Sequence, residues 1–232
     1  LYYDRNAYYI ASRKSKETIN TGYTGILSVY ADGSFSKPVQ QFKLNNEITK
    51  IARLDADNVL AGTIKTLYRI NMKTGKIYNL SPGKNILIRN IIRTNDGNFW
   101  ITTLGKGFFL LKNDRLIRMP YDTNKNISSS HTILEDPKGF LWISTNNGLY
   151  RVLKSQLLKY SSDSSTRVNY YRFSKEEGFN TNEFNGGGNF CGNRLNNGEF
   201  VLPSLNGLVF FDPLKVNAHY PAQVYIERAV ID

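Results

Sequence analysis

The chain has 232 residues, 41% hydrophobic and 13% aromatic, enough apolar surface for a packed domain of ordinary size, which excludes a disordered tail. No run approaches the ~18 apolar residues of a membrane-spanning helix, and the single cysteine, Cys191, excludes an internal disulfide or a cysteine-based metal cluster. The net charge of +11 is unevenly placed: residues 1–120 hold 19 Lys and Arg against 8 Asp and Glu, whereas residues 121–232 hold 11 of each. A solvated surface is the simple reading of that asymmetry, and an acidic partner on one basic side is the functional one.

In chain order, Ala7–Ser12 and Gly25–Tyr30 have strand composition, with a polar insertion over Arg13–Thr24 and a hairpin turn at Asp32-Gly33-Ser34 before Phe35. Residues 47–80 predict four strands, Ile48–Leu54, Val59–Gly62, Thr66–Ile70 and Ile77–Leu80, the last two joined by a turn at Lys73–Lys76. Residues 86–121 predict four more: Ile88–Arg93, Asn98–Thr102, Phe108–Leu111 and Leu116–Pro120. Residues 127–160 repeat the arrangement, ending in a strand at Gln156–Tyr160, after which Ser161–Ser165 is an exposed loop and Val168–Phe173 a candidate outermost strand. The polar, glycine-bearing stretch Lys175–Gly188 crosses to a last unit over Phe190–Val216, and Asn217–Pro221 is a linker. No helix of appreciable length is expected.

One sentence is written several times along this chain. Gly139-Phe140-Leu141-Trp142-Ile143-Ser144-Thr145 matches Gly97-Asn98-Phe99-Trp100-Ile101-Thr102-Thr103 at a spacing of 42 residues. Weaker copies run over Asp57–Thr63 and Gly198–Ser204, so that Leu60, Trp100, Trp142 and Val201 fall at spacings of 40, 42 and 59. A repeat of this length built from short strands and polar turns predicts an all-β fold, a β-propeller of four-stranded antiparallel blades, with about five blades over residues 1–216.

The pattern D-x-x-G-x-L-W-I-x-T-x-x-G-L-Y at 136–150 resembles the propeller repeat of bacterial hybrid two-component regulators. Asn182–Asn185 leading to Asn206–Pro213 is similar to the last blade of such a propeller, and Tyr220–Ile226 resembles the opening of the immunoglobulin-like domain that follows it. The resemblance implies a seven-bladed ring of which these five blades are an arc, with 217–232 beginning the next domain. It implies a periplasmic, oligosaccharide-sensing region of an inner-membrane histidine kinase, homodimeric in the full-length protein and without direct membrane contact. The first residue, Leu1, follows no initiator Met or signal segment, which fits a piece of a longer chain.

Enzymatic signatures are few. The two histidines, His131 and His219, have no partners at metal-ligand spacing, so neither a metal nor another cofactor is expected. No nucleophile elbow, zincin or phosphate-loop motif is present, and Gly186-Gly187-Gly188 lacks dinucleotide spacing and is taken as backbone freedom at a corner. The cluster Glu176, Glu177 and Glu183 keeps open a glycan-cleaving lyase or glycosidase, which needs facing carboxylates. Asp96 and Asp136, one and three residues before their turn glycines, are assigned as turn caps, Trp100 and Trp142 as packing between blades, and Cys191 as a small buried residue. Nucleic acid is not an expected partner, since no recognition helix is read. A propeller that binds only protein is the third alternative.

Connections between blades and second-to-third-strand corners share one propeller face, where concave sites form. On that face the candidate ligand-binding residues are Arg89, Lys106, His131, Asn146, Asn189 and Asn206, with Thr49, Arg89 and His131 at equivalent positions entering innermost strands. This basic, asparagine-rich rim suits an oligosaccharide, in particular an anionic one.

Overall fold

The computed structural model describes residues 1–15, 23–188 and 191–216. They form five consecutive up-and-down antiparallel sheets, each a propeller blade. Blade 1 comprises β1 (Tyr2–Asp4), β2 (Ala7–Ser15), β3 (Tyr23–Ala31) and β4 (Gln40–Leu44). Blade 2 follows with β5 (Ile48–Arg53), β6 (Asn58–Thr63), β7 (Leu67–Asn71) and β8 (Ile77–Asn79), and blade 3 with β9 (Leu87–Arg93), β10 (Phe99–Leu104), β11 (Phe108–Lys112) and β12 (Arg115–Arg118). Blade 4 is β13 (Ser130–Glu135), β14 (Phe140–Thr145), β15 (Gly148–Leu153) and β16 (Tyr170–Phe173). Blade 5 has three strands among the described residues, β17 (Asn193–Arg194), β18 (Phe200–Ser204) and β19 (Gly207–Phe211). Residues 217–232, expected to open an immunoglobulin-like domain, lie outside the described residues.

Second strands β6, β10 and β14 are buried on nearly every residue, because a blade inside the array is covered on both faces. Their apolar runs, Val59-Leu60-Ala61, Phe99-Trp100-Ile101 and Leu141-Trp142-Ile143, therefore need no polar alternation. Leu60, Trp100 and Trp142 hold the same register position, opposite Ala52, Ile92 and Leu134. Each turns toward the following blade: Leu60 packs with Ile101 and Phe109, Trp100 with Leu141 and Ile143, and Trp142 with Phe200 and Leu202. Val201, the fourth of the series, is only half-buried, and β18 alternates buried and half-buried positions. The two end faces of the array carry exposed apolar groups, Tyr3 and Phe35 on blade 1 and Leu208 (63% exposed) and Phe210 (55%) on blade 5.

A hydroxyl closes the same corner in four blades, which explains the threonine ending each copy of the repeat. Thr63 Oγ1 donates to Thr66 O (2.9 Å), Thr103 Oγ1 to Gly107 O (2.6 Å), Thr145 Oγ1 to Gly148 O (2.9 Å) and Ser204 Oγ to Gly207 O (2.9 Å). These corners bond onward to the next blade's incoming connection. Ile86 N donates to Lys65 O (2.8 Å), Gly107 N to Ser128 O (2.7 Å) and Gly148 N to Asn182 O. Corners and connections therefore share one face.

Three expectations change. Gln156–Tyr160 is not a strand but the middle of helix α1 (Lys154–Ser162), whose Leu157 is fully buried against the blade 3–blade 4 core. Adjacent leucines among Lys, Gln and Ser favour a helix over an alternating strand. The first blade begins at Tyr2, not Ala7, with β2 and β3 running through part of the presumed insertion. Phe35 is not in a strand, the fourth strand starting at Gln40. Both aspartates cap their turns as expected, Asp96 Oδ1 accepting from Asn98 N (3.2 Å) and Asp136 Oδ1 from Lys138 N (2.9 Å), and aligned on the indoles the counterpart of Asp136 is Thr94. Trp100 Nε1 donates to Thr94 Oγ1 at 3.2 Å as Trp142 Nε1 donates to Asp136 Oδ2 at 2.8 Å.

Candidate ligand site at the propeller axis

The innermost strands β5, β9 and β13 lose register at the same place. Ile48 pairs with Thr63 but Lys50 with Gly62; Ile88 pairs with Thr103 but Asn90 with Thr102; Ser130 pairs with Thr145 but Ile133 with Ile143. In each strand the skipped segment contains the residue at the same repeat position: Thr49, Arg89 and His131. A bulge leaves its extra residue outside the ladder and re-aims its side chain. Neighbouring inner strands are stitched beside the bulges by Thr49 Oγ1 to Ile88 O (2.7 Å) and Asn90 Nδ2 to Thr132 Oγ1 (2.9 Å), and the second strand of blade 3 joins the inner strand of blade 4 through Thr102 Oγ1 to His131 O (2.8 Å).

Blade 5 departs from this pattern through an excursion of its own innermost strand. Phe184 bridges to Ser204, the chain then leaves the sheet, and it returns where Asn193 pairs with Val201. The excursion carries Gly186-Gly187-Gly188 over the axis. Gly186 lies so close to His131 that a Cβ there would sit 2.1 Å from Nδ1, so only glycine fits. Thr49, Arg89, Leu104 and the three glycines line a cavity of about 380 Å³.

The electrostatics of this axis are one-sided. Among the described residues Arg89 makes no hydrogen bond or ion pair, and its Nε is buried without a partner. Burial lowers the proton affinity of Arg89 and of Lys50, with Cys191 opposing in both cases, and burial pushes the Cys191 thiol up while Lys50 and Arg89 pull it down. His131 is 1% exposed, and burial, followed by the Arg89 charge, lowers its pKa to about 4. Asn146 and the Phe184 backbone lie beside the imidazole and favour its charged form. Neither ring nitrogen meets hydrogen-bond geometry. The histidine is therefore neutral at physiological pH.

Of the six residues expected from sequence, Arg89, His131 and Asn146 come together at the axis. Lys106 and Asn206 stand exposed on corners of separate blades, Asn206 Nδ2 donating to Asn180 O at 3.2 Å. Asn189 lies outside the described residues. The lining role of the triple glycine was missed. Glu177 is committed elsewhere, accepting from Ser174 N and Oγ, both at 2.7 Å, in the capping box of a short 3-10 turn. No group of three metal-ligating side chains occurs among the described residues, and no helix there is long and apolar enough to cross a membrane.

The fold and the bulge-lined axis define a β-propeller with a concave site on its connection face. Residues 124–147 match the two component regulator propeller family, so the chain carries that family's repeat. Solved structures agree on the fold. The extracellular domain of a hybrid two component system from B. thetaiotaomicron shares 20% identity at a TM-score of 0.51, over 83% of this chain and 31% of that one. PorZ, a surface component of the type-IX secretion system of Porphyromonas gingivalis, shares 18% identity at a TM-score of 0.61, over 90% of this chain and 31% of its own. Virginiamycin B lyase from Staphylococcus aureus shares 11% identity at a TM-score of 0.51, over 88% of this chain and 74% of its own. The chain thus spans about a third of the first two structures. No curated protein matches it.

Proposed function

We propose that this chain is part of the extracytoplasmic, ligand-sensing propeller of a hybrid two-component sensor. Its ligand is an oligosaccharide, held at the axis. Binding changes how the propeller packs against the remaining blades, the following immunoglobulin-like domain and a second copy, and that change reaches a histidine kinase across the inner membrane. The observation that carries the reading is the recurrence of one bulge in three successive inner strands, aiming Thr49, Arg89 and His131 toward one axis. Bulges that re-aim a side chain recur next to binding and active sites, and the Arg89 side chain at the central bulge lines the cavity. The two component regulator propeller match at 124–147 supports placing that site in a sensor.

A non-catalytic role is favoured by what the axis holds. Its titratable groups are cationic or neutral, and Glu177, the acidic candidate nearest a defined geometry, is spent on a cap. Facing carboxylates, which glycoside cleavage requires, are not brought together here. Calorimetric titration with a panel of neutral and acidic oligosaccharides, with product analysis, tests the proposal. Saturable binding with the sugar recovered intact supports a sensor; cleavage, or no binding by any member, refutes it.

A further inference from the structure

The axial cavity has a chemical demand that the fold leaves unanswered. Arg89 enters it from a bulge, with no carboxylate paired to it among the described residues and with a buried, unpartnered Nε. Lys50, which follows Thr49 in β5, lines the neighbouring pocket with Thr49 and Ile51 and not this cavity. His131 is neutral and adds no further positive charge. Gly187 and Gly188 have open space where a Cβ would be, so the wall facing Arg89 is bare backbone that a ligand can approach closely. Arg89 is half-buried, and a buried N–H left without an acceptor is costly until a ligand atom completes it.

We propose that the axial cavity anchors one carboxylate of its ligand on Arg89, with Gly186-Gly187-Gly188 forming the opposite wall. This rests on the axis being the ligand site and adds the ligand's class, a sugar acid. The guanidinium is a planar fork that takes a carboxylate or a tetrahedral oxyanion bidentately; of the two, the carboxylate is assigned because its two coplanar oxygens match the fork with none left over to desolvate. The cavity, about 380 Å³, is at the small end of ligand pockets and takes one acidic residue of a chain, not several.

The test is titration of the chain with sodium D-glucuronate, sodium D-galacturonate, D-glucose and D-glucose 6-sulfate at constant ionic strength. Calorimetry is read beside the Nε–H resonance of Arg89. A uronate is expected to saturate and to shift that resonance, with Arg89→Gln weakening it roughly 10- to 100-fold, the range of a lost charged hydrogen bond. Should Arg89→Gln fail to fold, the wild-type resonance still decides. Equal or absent responses to uronates and glucose overturn the anchor, as does preference for the sulfate. Neutral oligosaccharides that bind independently of Arg89 would overturn the anchor and spare the sensor reading. A uronate bound at Arg89 with no oligosaccharide in the panel bound would do the reverse.

Discussion

The Trp142 indole donates to Asp136 Oδ2 at 2.8 Å, and Asp136 is 2% exposed. The same carboxylate takes Lys138 N at 2.9 Å and Phe140 N at 3.0 Å through Oδ1, so one side chain fixes both the turn and the tryptophan of its repeat. In blade 3 Thr94 replaces it, accepting from Trp100 while its own hydroxyl donates to Asp96 at 2.7 Å. Asp136→Ala should therefore cost about 2–4 kcal/mol and Thr94→Ala about 1 kcal/mol. Urea denaturation compares them; equal losses would show that the carboxylate adds nothing beyond the hydroxyl.

Lys154 joins two blades by contacting Asp96 at 2.9 Å and, more closely, Glu135. Burial alone would raise the Asp96 carboxyl, but hydrogen bonds from Lys154, Thr94 and Asn98 override it and hold it well below the usual carboxylate range. Lys154 is likewise lowered by burial and raised on balance by its two acidic partners. A depressed carboxylate stabilises above its unfolded pKa, and that contribution is lost as pH falls through the folded one. Lys154→Met should thus be less stable than the wild type at pH 7, with the gap closing below about pH 4. A gap unchanged by acid would contradict the assignment.

His131 gives a pH dependence of the same sign as Asp96, over a higher window. Its folded pKa of about 4 lies below the ordinary value near 6.5. Between those values the unfolded chain takes up a proton that the folded chain refuses, so stability falls as pH drops and levels off below the lower value. The full effect is on the order of 3 kcal/mol. Stability curves of wild type and His131→Gln should converge toward pH 4 and separate toward neutrality, with the variant flatter; parallel curves would place the imidazole in water.

Gly186→Ala sets a methyl group against the His131 ring, with contacts of 2.1 and 2.3 Å that something must relieve. Overpacking of this kind costs about 1–3 kcal/mol. The variant should melt earlier and lose ligand affinity together, whereas Gly187→Ala, with open space at its Cβ, should leave the melting temperature unchanged.

Leu208 and Phe210 occupy the face of blade 5 that in blades 2, 3 and 4 is covered by the next blade. We expect a chain extended N-terminally to complete the ring to melt above this one. Equal melting temperatures would indicate that five blades are self-sufficient.

Much of the fold was legible because the repeat states its own geometry. Trp100 and Trp142 at a spacing of 42 fixed equivalent second strands, and the threonine three residues beyond each tryptophan marked the corner that its hydroxyl closes. Helix α1 was not, since its window between two strand patterns is nine residues long and gives little periodicity to distinguish helix from strand. At the site, alignment of Thr49, Arg89 and His131 was readable, but the bulges that turn them inward are register events with no residue signature. The glycine wall is joined to them only by the excursion of blade 5, a three-dimensional relation that linear spacing does not carry.

The central claim is that this propeller senses its ligand at the bulge-lined axis. Amide and side-chain NMR mapping with the tightest-binding oligosaccharide of the panel tests it most directly. The account predicts that the largest perturbations fall on Thr49, Arg89, His131 and Gly186–Gly188, with the blade rims silent. Perturbations confined to exposed end-face residues such as Leu208 and Phe210, with the Arg89 and His131 signals unmoved, would contradict it.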